Sequence, residues 1–375
     1  MLTCRPQICG QSPIAPKNDQ DNLHGGIEID SDGIKAAVIR ISGAGGGTQI
    51  VYTDATNTLL KQTTGGKLSP EAVKETTQIV LDYYTRLREQ YGVPSKQVSI
   101  VSGSDLKAEN LEELTGEIKR STGKDLAFLS LESEVRLSII GTIPLRYREE
   151  TFWYNNRNQS MWIDVGSHKI KGGYQQIRQP LTGTPYYDFV ALGVPKGLTV
   201  LTDEVNSAVG ENAEVRRFAL NAKQLCDGSI KSALKNELET KPGLEYRKRI
   251  YLTGSIVWAL TTLMHPEERQ SFIPITVEDI NLFHQRAINS PRGLLNPSLT
   301  QIRDEETRRQ VDRDLKAVRS YFTIKSLIAG AELLKAVAGE YGFQDPGKSL
   351  LFPRFGHLSV ILSYVRLQAE NGPQP

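Results

Sequence analysis

The sequence has few of the features that mark membrane, disulfide-rich or strongly charged proteins. Its three cysteines are an odd number without metal-ligand spacing, which excludes a disulfide framework and a cysteine-based metal site. No stretch approaches roughly 18 consecutive apolar residues, because charged residues interrupt the longest candidate, 324–338. Residues 1–22 also lack the apolar run of a signal peptide. We therefore expect a soluble protein in a reducing cytoplasm.

The charge is balanced, with 45 Lys and Arg against 43 Asp and Glu, which leaves a net charge of +2. This excludes non-specific nucleic-acid binding through bulk charge, although a local basic cleft stays open. Hydrophobic residues make up 39% and charged residues 23% of the 375 positions. These values are typical of folded chains, and the length favours two domains.

Local patterns predict alternating strands and helices. Residues 26–41 predict two antiparallel strands joined at an Asp-Gly turn, and residues 69–92 predict a helix with Ser69 as its N-cap and Pro70 at its first position. Further strands are predicted at 49–60, 98–103, 126–130, 161–184 (two strands), 188–193 and 248–253, and further helices at 109–122, 132–140, 214–237, 255–264, 276–289 and 303–340, the last with a break.

This alternation predicts α/β domains with a central mixed sheet. The polar, Asn-rich segment 147–160 has no hydrophobic periodicity and marks the domain boundary. We expect a flexible tail over 1–24, a first domain over 25–148, a linker over 149–160, and a second domain over 161–370 that includes the C-terminal helices.

An internal repeat is the most informative feature of the sequence. Residues 27–37 match residues 163–173 at a constant offset of 136, with four of eleven positions identical. The first acid of each copy, Glu28 and Asp164, falls at the same place. Each half is therefore predicted to open with the same hairpin, carrying a carboxylate at the same position.

Two α/β halves that each open with such a hairpin resemble the actin-like ATPase fold of actin, sugar kinases and the large heat-shock chaperones. Within that superfamily the chain resembles the Ppx/GppA family of exopolyphosphatases and guanosine pentaphosphate phosphatases over residues 26–368. The most specific block is 99–141, with its Ala-Glu-Asn helix start, Thr-Gly-Lys turn and Ser-Leu-Glu-Ser-Glu-Val-Arg-Leu segment. The resemblance implies a two-domain actin-like (ribonuclease H-like) duplicated fold, with the hairpins 26–41 and 161–178 facing each other across an interdomain cleft.

Phosphate hydrolysis needs backbone N–H groups around the phosphate, usually a divalent cation, and an acid that activates water. The resemblance places the water-activating glutamate at Glu134, supported by Arg136, and makes Asp164 and Glu28 catalytic acids and ligands for Mg²⁺. A local reading of Glu134 as a helix-dipole partner and of Asp164 as a turn-capping residue stays open.

The resemblance also assigns residues to the phosphate itself. Lysines near the two hairpins could add positive charge, or be ordinary surface lysines; they are Lys35, Lys169 and Lys171. The residues assigned to phosphate binding are Ser31, Lys107, Gly166, Ser167, Gly254 and Ser255.

The chain departs from the family pattern at these loops. Asp30 stands where the family has a glycine that lets backbone approach phosphate, and Ser167 and His168 replace two further glycines. Lys171 occupies the position of the family's second acid, and Lys107 that of an arginine. The sequence is therefore as compatible with a slow, altered or absent activity as with the family reaction.

The predicted function is hydrolysis of a terminal phosphoanhydride in polyphosphate or a guanosine pentaphosphate alarmone. The alternatives are a catalytically impaired member that binds a nucleotide or polyphosphate as a regulator and, on fold analogy alone, an actin-like assembly scaffold. The expected partners are polyphosphate or a guanosine polyphosphate nucleotide, with a homodimer left open. DNA, RNA and membranes are not expected partners.

Overall fold

The computed structural model of the chain describes residues 22–30, 33–41, 48–56, 58, 60, 63–64, 66–145, 156–180, 182–184 and 186–371. The chain forms two compact units, which we call unit 1 (Met1–Leu137 and Leu358–Pro375) and unit 2 (Ser138–His357). Ser31, the Gly-rich run 43–47 and most of the predicted linker lie outside the described residues.

The strands and helices follow the predicted alternation. The strands are β1 (Leu23–Asp30), β2 (Gly33–Ile41), β3 (Thr48–Thr56), β4 (Thr63–Thr64), β5 (Lys67–Leu68), β6 (Val98–Ser102), β7 (Leu126–Phe128), β8 (Ser160–Val165), β9 (Ile170–Arg178), β10 (Tyr186–Val194), β11 (Arg249–Thr253), β12 (Phe272–Ile275) and β13 (Ser349–Pro353). The helices are α1 (Pro70–Thr85), α2 (Leu111–Thr122), α3 (Leu131–Thr142), α4 (Leu198–Val209), α5 (Val215–Leu225), α6 (Lys231–Thr240), α7 (Ser255–Met264), α8 (Val277–Asn289), α9 (Pro291–Leu295), α10 (Glu305–Tyr321), α11 (Ile324–Glu340) and α12 (Ser359–Asn371).

Unit 1 is built on a mixed sheet with the strand order β3-β2-β1-β6-β7. β1 pairs antiparallel with β2 and parallel with β6. As predicted, α1 begins after Ser69, whose side chain accepts a hydrogen bond from the Ala72 N–H, and Pro70 is its first residue. The helix then continues as a π-helical turn over Arg86–Gln90. Ile27 and Ile29 of β1 are fully buried on the α1 side of the core.

The last helix, α12, belongs to unit 1, whereas the sequence placed the C-terminal helices in the second domain. Its Ile361 and Val365 pack in one cluster with Ala37 and Ile39 of β2. Gly26 of β1 permits this packing, because a Cβ there would lie 2.4 Å from both Ile361 Cδ1 and Val365 Cγ2. The chain therefore returns to its first sheet, a long-range contact that a boundary drawn from local composition misses.

Unit 2 repeats the arrangement, with the strand order β10-β9-β8-β11-β13-β12. β8 pairs antiparallel with β9 and parallel with β11, as β1 does with β2 and β6. Strands β12 and β13 were not predicted, and β12 runs antiparallel at the edge of the sheet.

One helix of unit 2 begins at its predicted cap. Thr276 and Asp279 form a reciprocal capping box at the start of α8. The predicted long helix 303–340 breaks at Phe322, and Thr323 caps the buried helix α11. Among the helices of the described chain, none has the length and apolar character needed to cross a bilayer.

Candidate functional site

The first hairpin brings two carboxylates to one lysine. Side chains alternate along a strand, so Glu28 and Asp30 lie on the same face of β1. Lys35 of β2 is the cross-strand partner of Glu28. Its Nζ lies 3.3 Å from Glu28 Oε1 and 3.4 Å from Asp30 Oδ2. The side chain of Glu28 is only 1% exposed, so this ammonium balances a carboxylate that has lost its water.

Glu134 lies in the same unit, beside the turn that follows β6. It sits in the first turn of α3, where the helix dipole favours a negative charge. Its Oε2 accepts a hydrogen bond from the Ser104 N–H at 2.8 Å. Its side chain is buried. The carboxylate is therefore oriented by the backbone of a neighbouring loop.

Gly103 connects Glu134 with the first hairpin. Its N–H donates to the carbonyl of Ile29 at 3.0 Å, which extends the β1–β6 pairing. A Cβ at Gly103 would lie 3.6 Å from Asp30 Oδ1 and 3.7 Å from Glu134 Oε1. Unit 1 thus gathers Glu28, Asp30 and Glu134 near the carboxyl ends of two adjacent parallel strands.

The second hairpin repeats this register at the same offset. Asp164 of β8 opposes Lys171 of β9, as Glu28 opposes Lys35. Lys171 is buried. The Thr253 hydroxyl at the end of β11 donates to Asp164 Oδ1 at 2.8 Å. The structure therefore confirms the repeat as two hairpins of the same register, each pairing an acid with a lysine.

Small residues close the turns beside Asp164. The Gly166 N–H donates to the Lys169 carbonyl at 3.1 Å. The carbonyls of Gly166 and Ser167 accept from the Leu198 and Thr199 N–H groups, at 2.9 and 2.8 Å, at the start of α4. The β8–β9 turn is therefore fixed to that helix through its carbonyl groups.

Gly254 begins the turn into α7. Its φ is +112°, and a Cβ there would lie 2.2 Å from the Val165 carbonyl oxygen, so only glycine fits. Ser255 follows as the first residue of α7, and its buried Oγ makes no hydrogen bond to any described residue. Unit 2 thus brings Asp164, Gly166, Gly254 and Ser255 to one edge of its sheet.

The remaining predicted residues lie around these two clusters. Lys107 is exposed in the loop after β6, and Arg136 is exposed on α3. Lys169 is half-buried in the second hairpin turn, where His168 is half-buried as well. The predicted convergence of Glu28, Glu134 and Asp164 stays a prediction.

The sequence reasoning missed two positioning groups, the Ser104 N–H and the Thr253 hydroxyl. A Ser-Gly-Ser turn directly after the buried strand β6 is the signal that could have indicated the first. No sequence signal indicated the role of Thr253, because its hydrogen bond to Asp164 depends on the pairing of β8 with β11.

A divalent cation held by Glu28 and Asp30 together does not fit the first hairpin, because the Lys35 ammonium already lies between these carboxylates. Within the described residues, no group of three or more His, Cys, Asp or Glu side chains is placed to hold a metal. Glu28 and Asp30 already share the Lys35 ammonium. Asp164 accepts from Thr253 and opposes Lys171. The predicted role of Glu28 as a Mg²⁺ ligand therefore conflicts with the lysine at that position.

Comparison with known proteins supports the fold. No model of a known protein family matches the sequence, and no curated protein matches it either. Solved structures match along nearly the whole chain. A Ppx/GppA family member from Aquifex aeolicus has a TM-score of 0.59 at 16% identity, covering 94% of this chain and 99% of that one.

Two further structures agree. An exopolyphosphatase from Cytophaga hutchinsonii has a TM-score of 0.62 at 12% identity, covering 93% of this chain and 98% of that one. An exopolyphosphatase-like protein has a TM-score of 0.62 at 15% identity, covering 92% and 99%. The chain therefore has the two-domain, actin-like α/β fold of the Ppx/GppA structures.

Proposed function

We propose that the chain hydrolyses a terminal phosphoanhydride, in inorganic polyphosphate or a guanosine pentaphosphate, with Glu134 as the general base. The observation that carries the proposal is the buried Glu134 carboxylate, held through Oε2 by the Ser104 N–H. A carboxylate fixed in this way is oriented to accept a proton from water. The fold shared with exopolyphosphatase structures supports phosphate as the substrate chemistry.

In this proposal a water oxygen attacks the terminal phosphorus, the water proton passes to Glu134, and the bond from phosphorus to the bridging oxygen breaks. Backbone N–H groups and hydroxyls then stabilise the charge on the phosphoryl oxygens. The Ser255 hydroxyl, at the start of α7, is suited to this role because no described residue bonds it. Arg136 and Lys107 are the candidate cations for the phosphate.

Magnesium enters this proposal with the substrate. Mg²⁺ keeps several waters and is usually held by one or two carboxylates together with substrate phosphates. Lys35 already pairs with Glu28 and Asp30. We therefore expect any Mg²⁺ requirement to follow the concentration of the Mg²⁺–polyphosphate complex, with Asp164 as the carboxylate that contacts it.

The experiment measures phosphate release by the purified chain from polyphosphate and from guanosine pentaphosphate, with and without Mg²⁺. We expect Glu134→Gln to reduce turnover by about 10²-fold or more, the scale of a positioned general base. Substrate binding should stay nearly unchanged. Glu132→Gln, on the exposed face of the same helix, is the matched control. Equal activity of the two variants would contradict the role of Glu134.

The second candidate function is binding without hydrolysis. The ion pairs of Lys35 with Glu28 and Asp30 favour this second function. Asp30 places a side chain where the family pattern has a glycine, and Lys35 neutralises the two acids. Saturable binding of polyphosphate or nucleotide, with no phosphate release from any phosphoanhydride, would support this regulator. Reversing the charges of Lys169 and Lys171 together should then weaken binding, most strongly at low salt.

A further inference from the structure

We infer that Lys35 is a built-in counter-cation, which occupies the position where a divalent cation would otherwise bridge Glu28 and Asp30. The inference concerns the unliganded protein and does not depend on hydrolysis. It follows from the side-chain geometry of the first hairpin and from the recurrence of the same strand register in the second.

The first step is the placement of the ammonium. Lys35 Nζ is nearly equidistant from the two carboxylates, at 3.3 Å from Glu28 Oε1 and 3.4 Å from Asp30 Oδ2. The three side chains are 19%, 1% and 16% exposed for Lys35, Glu28 and Asp30. Two acids on one strand face that both reach a single nitrogen are also placed to reach a single cation.

The second step is electrostatic exclusion. A divalent cation at this position would meet the fixed positive charge of Lys35 at close range, and such repulsion is poorly screened where side chains are largely buried. Mg²⁺ also needs oxygen ligands at about 2.0–2.1 Å in octahedral order. The lysine supplies no acceptor and holds both carboxylates, so the hairpin neither needs nor admits a resident metal.

The third step is the repetition. In the second hairpin Lys171 opposes Asp164 at the equivalent register position. Opposite charges at directly paired positions of an antiparallel pair stabilise each other. The same register of an acid opposite a lysine therefore recurs in both halves of the chain, although the shared ammonium contact is described for the first hairpin.

The test measures Mn²⁺ binding to the full chain without substrate, by the electron paramagnetic resonance signal of free Mn²⁺. The variants are Lys35→Met, which keeps the apolar stem, the single variant Glu28→Gln, and the double variant that combines them. We expect no Mn²⁺ site in the wild type that depends on Glu28. Lys35→Met should gain a Mn²⁺ site that is at least about tenfold tighter than any Mn²⁺ binding by the wild type, and the double variant should lose this site.

Two results would overturn the inference. One is Mn²⁺ binding by the wild type that Glu28→Gln alone abolishes, which would make the hairpin a metal site despite its lysine. The other is a folded Lys35→Met chain that gains no Mn²⁺ binding. Circular dichroism checks folding, and Lys35→Gln replaces the methionine variant if that one does not fold. Phosphate release by these variants bears on the proposed function alone, because the inference is decided by Mn²⁺ binding.

Discussion

Replacing Glu332 by glutamine removes the negative charge from a buried cluster in unit 2. Glu332 lies on α11, and its side chain is 5% exposed. Its Oε1 lies 2.8 Å from His284 Nε2 on α8 and 3.2 Å from Lys335 Nζ. The cluster therefore ties α11 to α8 inside the helical layer, and the substitution leaves the Lys335 ammonium without its counter-charge.

Burial alone would raise the pKa of Glu332, but the hydrogen bond from His284 and the charges of His284 and Lys335 outweigh it and lower the pKa. A carboxylate with a lowered pKa stabilises the folded state above its unfolded pKa, and the contribution is lost as the pH falls through its folded pKa. Breaking a buried ion pair costs about 3–5 kcal/mol. Because Lys335 is 29% exposed and water screens part of its charge, we expect about 2–3 kcal/mol at pH 7.

The assay is urea unfolding followed by tryptophan fluorescence, which reports on unit 2 because the tryptophans that the structure describes, Trp162 and Trp258, belong to it. Glu332→Gln should lower the unfolding free energy at pH 7, and its difference from wild type should narrow as the pH falls below about 4.5. Glu278→Gln, exposed on α8, is the control and should change stability by less than about 0.5 kcal/mol.

A loss below about 0.5 kcal/mol at pH 7 would refute the argument, since a change of that size is typical of surface substitutions. So would a loss that stays the same between pH 7 and a pH low enough to protonate Glu332 in the folded chain, because a protonated glutamate and a glutamine carry the same charge. In that case the cluster would act through packing rather than through charge.

Further predictions concern two glycines and a cysteine. Gly254→Ala should destabilise unit 2 by about 2–4 kcal/mol in the same urea assay, because it adds strain at positive φ and a Cβ 2.2 Å from the Val165 carbonyl oxygen; Gly339→Ala, with open space around it, should not. Gly26→Val should cost about 1–3 kcal/mol and expose α12 to limited proteolysis, and an unchanged cleavage rate would contradict its packing role. Burial raises the pKa of Cys226 to about 12. In a variant whose other two cysteines are replaced by serine, the Cys226 thiol should therefore resist Ellman's reagent at pH 8 until urea unfolds the chain. Rapid labelling of the folded variant would contradict this prediction.

Local chemistry explains which elements the sequence could predict. Ser69 and Pro70 start α1, and Thr276 with Asp279 starts α8, because caps act within one helical turn. The break before Thr323 has the same origin. Strands β12 and β13 were missed, because their pairing joins segments far apart in the chain and no short pattern records it.

The candidate site also has parts that the sequence predicted and parts that it could not predict. The positions of Glu28, Glu134 and Asp164 could be named from the repeat and the family resemblance. The hydrogen bonds that orient Glu134 and Asp164 could not be predicted. The Ser104 N–H reaches Glu134, and the Thr253 hydroxyl reaches Asp164, only after distant strands pair.

The sequence by itself determined the duplicated hairpins and their acid–lysine register, because a period-two strand joined by a tight turn fixes which residues oppose each other. The tertiary structure decided that one ammonium serves both Glu28 and Asp30, and that α12 covers the first sheet. Burial of the hairpin sets the first feature, and long-range packing sets the second. They depend on which distant surfaces exclude water together, a property that no single segment of the chain contains.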